Sequence, residues 1–320
     1  MAKRKVIAVV FSDLHLNLWA KHNNENIRTL NGFDVLFRVA KLCDKYSCPS
    51  LFCGDLFHKP ENMDQELYGI VLDKFHKLDI KYPKFRCFAI SGNHCLSVVN
   101  HIEKPASSWV TKLSTQFNWL VCVDCLEFQV GKYRALGIPY IDHNTGIGDF
   151  IKDKKFTDIL MLHSDFPGAQ DTDGRAIDST ENLSINNLKG FKLVLMGHIH
   201  KPQRLGKKIY MIGAPQHQRR TDRNCNMGYW LLYSDLSMKF KTFDNYPKFI
   251  DVESETDIKD DGNYYTVVPK ASSINKVTEH KITKQLSKKQ LARRYMKQNG
   301  QKNSRRLKLL TDILNKSEQC

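Results

Sequence analysis

The chain has 320 residues, 41% of them hydrophobic and 10% aromatic, which is enough to bury one large core or two smaller ones and excludes a disordered polypeptide. Nine cysteines, an odd number without framework spacing, argue against a disulfide-stapled secreted domain and for a reducing, cytoplasmic setting. The net charge of +15 is concentrated, because between Lys276 and Lys316 thirteen Lys or Arg face only Glu279 and Asp312, a local +11. Such a segment fits a nucleic-acid or acidic-partner surface as readily as a solvated helical hairpin.

In chain order, the β-branched run at residues 6–11 is too short for a helix and predicts a buried strand. It follows a basic N-terminus but soon meets Asp13, so it is neither a signal peptide nor a membrane span, and no membrane partner is expected. Residues 34–46 carry Val35, Leu36, Val39 and Leu42 near helical spacing, and residues 51–53 predict a second strand stopping at Gly54. Residues 63–78 repeat the helical pattern through Leu67, Ile70, Val71 and Phe75, and residues 85–90 predict a third strand. Alternation at 121–123, 128–130 and 133–136 predicts shorter strands of a second sheet. Residues 159–162 and 193–196 are again buried strands, and between them residues 164–187 read as a long polar loop bordering the site. Its Asp171-Thr172-Asp173-Gly174 lacks the later ligands of a calcium loop.

Beyond Gly213-Ala214-Pro215, residues 227–233 and 238–243 predict strands joined by a short turn. Residues 251–262 form an acidic, loose segment, and a strand at 264–268 closes a small β-rich unit. In the tail, Ser287-x-x-Gln290 is a capping box with Leu286 and Leu291 at the staple positions, and Asn299-Gly300 stops that helix. A second helix from about residue 304 aligns Leu307, Leu310 and Leu314. This hairpin has too little core to stand alone and is expected to dock on another protein.

Five of these elements end in a patch of metal-type ligands: Asp13-Leu14-His15, Gly54-Asp55-Leu56-Phe57-His58, Gly92-Asn93-His94, Leu162-His163 and Gly197-His198-Ile199-His200. Ligands gather at the carboxyl ends of strands in α/β sheets, so five such endings can converge on one crevice. Asp13 and Asp55 are hard oxygen donors, Asn93 adds a carbonyl oxygen, and His15, His163, His198 and His200 add imidazoles. That mixed set suits two divalent metal ions, Mn²⁺ being expected and Mg²⁺, Fe or Zn²⁺ the alternatives. Held between two such ions, water loses a proton near neutral pH and can attack a phosphate ester. His94 and His58 remain to stabilise charge or protonate the leaving oxygen. His22, His76, His101, His143, His217 and His280 read as surface or satisfied core residues, and Cys122-x-x-Cys125 lacks the second pair of a zinc site.

The run Asp-x-His, Gly-Asp, Gly-Asn-His, His, Gly-His-x-His resembles the calcineurin-like metallophosphoesterase superfamily from Asp13 to His200. The resemblance implies a four-layer α/β sandwich, two mixed sheets flanked by helices. It also implies Asp13, His15, Asp55 and His200 on one metal and Asp55, Asn93, His163 and His198 on the other, with Asp55 as the bridge. The protein phosphatases of that superfamily follow Gly-Asp with Asp-Arg, whereas Gly54-Asp55-Leu56-Phe57-His58 lacks the arginine and is similar to the SbcD-type recombination nucleases. Residues 197–203 and 209–216 are similar to the same branch, and the compact form looks like the phage recombination-endonuclease subunits.

That branch implies a Mn²⁺-dependent DNA exonuclease and endonuclease acting in double-strand-break processing, with His94 and His58 at the scissile phosphate. It further implies a homodimer, a nuclease domain at 1–220, a small β-rich cap at 221–270, and a helical segment at 271–320 that binds an SbcC/Rad-type ATPase. For a phage-encoded chain the location would be the host cytoplasm. Lys201, Arg204, Lys207, Lys208, Arg219, Arg220 and Arg223 are expected to track the DNA backbone. Two other readings are a bimetal phosphodiesterase acting on a small molecule or nucleotide, and a non-catalytic DNA-end-binding scaffold. The chain departs from the family at Cys95, where an acid usually follows Gly-Asn-His.

Overall fold

In the computed structural model, which describes residues 4–21, 26–59, 63–96, 108–141, 147–152, 154, 157–177, 183 and 185–268, the first apolar run forms β1 (Val6–Phe11). The chain continues through α1 (Ile27–Tyr46), β2 (Ser50–Phe52), α2 (Gln65–Lys81), β3 (Cys87–Ala89), α3 (Trp109–Ser114) and β4 (Leu120–Cys122). Next come β5 (Glu127–Val130), β6 (Tyr133–Ile138), α4 (Ile147–Lys152), β7 (Ile159–His163), β8 (Leu193–Gly197), β9 (Gln203–Arg204) and β10 (Ile209–Met211). The last strands are β11 (Gly228–Tyr233), β12 (Met238–Thr242), β13 (Phe249–Val252) and β14 (Tyr264–Val267). The described residues through Val267 form one compact unit. The expected helical hairpin and basic tail, with His22, His101, His143 and His280, lie outside the described residues.

Two six-stranded mixed sheets carry the fold, in the orders β12-β11-β1-β2-β3-β4 and β5-β6-β7-β8-β10-β9. The reason β1 is apolar throughout is that both of its faces are covered. Val9 and Phe11 pack with Phe33, Leu36, Val71 and Phe75 of the helices. Ala8 and Val10 point the other way, into a core shared with Ile159, Met161, Leu193 and Leu195 of the second sheet. The outer face of that sheet (Leu160, Leu162, Val194, Met196) is closed by Ile147 and Ile151 of α4 and by Phe166, Leu188 and Phe191. Period-2 alternation therefore sorts each strand between two cores.

Several expectations need correction. The strand expected at 121–123 in the second sheet is β4, paired parallel to β3 in the first (Cys87↔Leu120), where the buried Trp119 before it stacks on Phe85. Helix α1 starts at Ile27 rather than 34, and its early residues Thr29 and Phe33 are buried. Two of the strands assigned to a cap at 221–270 instead extend the first sheet, because β11 pairs antiparallel with β1 (Val10↔Trp230) and β12 pairs with β11. Trp230, Leu231 and Leu232 are buried, and the open edge of β1 supplies the partner that such a run needs. What remains apart is the two-stranded parallel sheet β13–β14.

Trp230 joins the two sheets: its Nε1 donates to the Ile212 carbonyl (3.0 Å), and its ring packs edge-on against Tyr210 (5.2 Å). Trp230→Ala should destabilise the fold by about 3–5 kcal/mol, read as a lowered urea midpoint. A midpoint within error of the parent would show that the sheet interface does not depend on it.

Candidate metal centre

The site is built where strands end. Past β1 and β2 the two chains keep pairing, with Asp13 N–H donating to Gly54 O (2.9 Å), His15 N–H to Asp55 O (2.9 Å) and Leu16 N–H to Leu56 O (2.8 Å). To turn their side chains into the crevice, Asp13 (φ 53°), His15 (φ 49°), Asp55 (φ 60°) and His198 (φ 89°) take left-handed conformations that non-glycine residues rarely adopt. Gly54 (φ 102°) can be no other residue, since a Cβ there would fall on the His163 ring; at Gly92 it would fall on the Asp55 carboxylate.

The structure brings the seven candidate ligands together. Donor atoms of Asp13, His15 and His200 lie within 4.8 Å of one another, as do those of Asp55, His163 and His198. Asn93 Oδ1 joins the second group, 3.1 Å from His163 Nε2 and 3.0 Å from His198 Nδ1. Asp55 Oδ2 stands between the groups, 3.6 Å from His15 Nε2 and 3.3 Å from His163 Nε2. Asp55 Oδ1 and Asp13 also accept from the backbone N–H groups of His94 (2.9 Å) and His198 (3.0 Å), so each carboxylate ties one loop to another.

The electrostatics fit a cation. Asp13 and Asp55 are fully buried, and no Lys or Arg among the described residues pairs with either. Burial alone would raise the Asp55 carboxyl, but His163 and His15 outweigh it and hold it below the usual range. Burial lowers His15 well below its ordinary value, and burial with His163 nearby lowers His198 to about 3, so both offer free lone pairs. His163 and His200 behave oppositely: burial opposes their protonation, yet Asp55 and Asp13 hold His163 at about 9, and Asp222 and Asp13 raise His200. These two hold protons that divalent ions would replace. An oxygen and imidazole set of this kind, without thiolate, suits divalent metal ions.

His58 and His94 flank His15. Their rings stack at 5.3 Å and 10°, His94 Nδ1 donates to the His58 carbonyl (2.6 Å), and His58 Nδ1 is 3.5 Å from His15 Nδ1. Burial and His94 push His58 down to about 4. Of the other histidines, His76 is exposed, whereas His217 is buried, accepting from Phe249 N–H (3.1 Å) and donating to Cys225 O (3.1 Å).

The basic residues after the last motif divide. Lys208 spends its donors on the Leu188, Lys189 and Phe191 carbonyls, and Arg220 and Arg223 pair with Asp251. Arg219 lies 3.7 Å from Asp222. Lys201 bonds Gln170, Arg204 donates to Lys207 O, and neither these two nor Lys207 pairs with a carboxylate among the described residues.

Three residues beside the site escape sequence reasoning. Asp222 is fully buried, accepts from Gln218 and Arg219 N–H (2.8 and 3.1 Å), and lies 3.7 Å from His200 Nδ1. His200 Nδ1 and Asp222 Oδ1 are each buried without a hydrogen-bond partner, so a small shift on metal uptake would join the two residues. Asp165 Oδ1 lies 3.4 Å from His198 Nε2 and can orient that ring. Trp19 packs on His58 (4.9 Å) and is held by Arg28 over its ring (3.8 Å). Only Asp165, lying in the polar loop after His163, had a sequence cue. Cys95 is buried, its sulfur accepts from Leu56 N–H (3.2 Å), and burial pushes its thiol to about 12, leaving a neutral group directly after Gly92-Asn93-His94.

The family model for calcineurin-like phosphoesterases matches residues 8–202. No curated protein matches the chain. No helix of the described residues is long and apolar enough to cross a membrane.

Divalent metal should raise the melting temperature, and chelation should lower it. Because the ion must displace the His163 proton, affinity should climb with pH up to about 9 and fall about tenfold per unit below. Calorimetry at neutral pH in buffers of different ionisation enthalpy should show protons released on binding; none released would refute this. Asp222→Asn should weaken metal affinity about 10–100-fold with little change in the metal-free fold. Unchanged affinity would make Asp222 a packing residue only.

Proposed function

The chain belongs to the calcineurin-like phosphoesterase family, and from that premise we propose that it is a Mn²⁺-dependent DNA nuclease of the SbcD type, cutting phosphodiesters in double-strand-break processing or recombination. Membership carries metal-dependent phosphoester hydrolysis with two divalent ions, for which the two ligand groups are suited. When bound, such ions supply a water nucleophile at neutral pH and positive charge beside the phosphate.

The observation that carries the finer reading is the His58–His94 pair set against the ligand His15. With Nδ1–H held by the His58 carbonyl, His94 keeps Nε2 for the substrate, and in its imidazolium form it can pass the Nε2 proton to the departing alkoxide. His58 stays neutral near pH 7 and offers a hydrogen bond rather than a fixed cation. The two residues after Asp55 are Leu56 and Phe57, both buried, so no guanidinium grips the second charge of a phosphomonoester from that position. This favours a diester. Lys201, Arg204 and Lys207 are the cations best placed to follow the DNA backbone, while Arg220 and Arg223 already answer to Asp251. The basic segment after residue 270 would bind an SbcC/Rad-type ATPase, and the working form would be a homodimer.

Plasmid nicking with Mn²⁺ tests the proposal. The parent chain should nick and linearise the plasmid, and His94→Ala should lose about 10²–10⁴-fold while still binding metal. Equal inertness of the two would sink the catalytic reading. Hydrolysis of a small aryl phosphodiester with DNA left intact would favour a small-molecule phosphodiesterase. DNA affinity should fall steeply with salt, and less steeply in a Lys201→Ala, Arg204→Ala, Lys207→Ala variant. Adding an SbcC-type ATPase should alter the rate on linear duplex.

A further inference from the structure

Helix α1 ends in a turn that sets two thiols against each other. Ser47 is left-handed (φ 50°, ψ 52°), its N–H donates to Asp44 O (3.2 Å), and Cys48 N–H donates to Cys43 O (3.1 Å). Those paired bonds make a Schellman closure, in which the side chains at the ends of the longer bond meet over the turn. Ordinarily both are hydrophobic. Here both are cysteine.

The pair is also reachable. Cys43 is buried and Cys48 half-buried, and both line a cavity of about 720 Å³ whose wall includes the exposed Asp44, Ser47, Lys81 and Lys84. Pro49 and Arg86, just before β2 and β3, line it too, so it opens at the strand ends opposite those that carry the metal ligands. The two thiols differ in chemistry. A hydrogen bond from Cys43, helped by the charge of Lys5, lowers the Cys48 pKa despite partial burial. Burial raises that of Cys43. Among the other described cysteines, Cys53, Cys87, Cys95, Cys122, Cys125 and Cys225 all have thiols raised by burial. A half-buried thiol of lowered pKa, seated against a protonated thiol across a tight turn and facing an open cavity, is the arrangement of a redox-sensing pair.

We infer that Cys43 and Cys48 form a redox-active dithiol, a modification site at which hydrogen peroxide closes a Cys43–Cys48 disulfide across the end of α1. The Cys48 thiolate attacks the peroxide O–O bond, takes one oxygen as sulfenic acid, and releases hydroxide, which picks up a proton to become water. Cys43 sulfur then displaces the hydroxyl from Cys48 sulfur, and its proton leaves with it as a second water. Two thiols are oxidised by two electrons and one peroxide is reduced to two waters. The disulfide would fasten the last turn of α1 to the start of β2 and shrink the cavity floor. It depends on no assumption about the phosphoester substrate.

The test uses the full-length, metal-loaded chain. After brief treatment with stoichiometric peroxide, free thiols are alkylated and mapped by mass spectrometry. Cys43 and Cys48 should lose alkylation together and reappear as one cross-linked pair that dithiothreitol reverses. In Cys43→Ser, Cys48 should stop at a sulfenic acid trapped by dimedone, forming at least about tenfold faster than any adduct at Cys225. In Cys48→Ser, Cys43 should stay reduced. Full alkylation of both residues in the parent chain, or oxidation falling first on Cys122 and Cys125, would overturn the inference. The parent-chain map needs no variant, so a poorly folding Cys43→Ser cannot obscure the result.

Discussion

Two carboxylates placed beyond the reach of water set the terms for this molecule. A buried charge without a partner costs several kcal/mol, and Asp13 and Asp55 have no Lys or Arg beside them among the described residues. Imidazoles surround them instead: His163 and His200 hold protons against burial as exchangeable counter-ions, while His15 and His198 stay neutral. The arrangement is complete by geometry, and its counter-charge is carried by protons that a bound cation can replace, which is the condition of a site made for cations. The same carboxylates hold the backbone of their neighbours, Asp13 reaching from the first sheet to His198 at the end of the second. Charge and architecture are joined in the same atoms.

Holding that geometry has a conformational cost. Four of the seven ligand residues sit in the left-handed region, each at about 1–3 kcal/mol. The offset comes from elsewhere, chiefly the apolar layer between the sheets, where Ala8, Val10, Leu51, Ile159, Met161 and Leu195 are wholly buried. The rigid strands end abruptly against this layer, and the turns that follow have no freedom to relax. Strain at the ligands and density in the core are two sides of one arrangement.

How much of this was readable beforehand depended on whether the signal was local. The short strands β1, β2, β7 and β8 announce themselves because both faces are covered and, apart from Ser50 and His163 at their ends, their residues are apolar or glycine. The ligands announce themselves because each follows such a run. Asp222 gave no such sign: it lies in a polar stretch of Arg, Thr and Asn, and only the return of the chain beneath His200 brings it to the site. Trp19 was silent for the same reason. The misjudged elements also turned on partners far away in sequence. Residues 228–242 have the texture of a small separate hairpin, and nothing local tells that the vacant edge of β1 will receive it. Residues 121–123 share this property, since alternation reports that a strand exists but not which sheet it joins.

The pairing of β11 with β1 bears on how the protein comes into being. Val6 lies opposite Tyr233, so the strand bearing Asp13 at its end lacks one neighbour until nearly all of the described chain has been made. Every metal ligand has been synthesised by His200, yet the sheet that fixes the first of them is still open on one side. Such distant pairings close slowly, because the intervening chain must give up its freedom before the contact repays it. A nascent chain emerging residue by residue would therefore carry a full set of ligands while remaining without a finished centre, and hydrolytic capacity would arrive late, with the closing strand rather than with the last histidine.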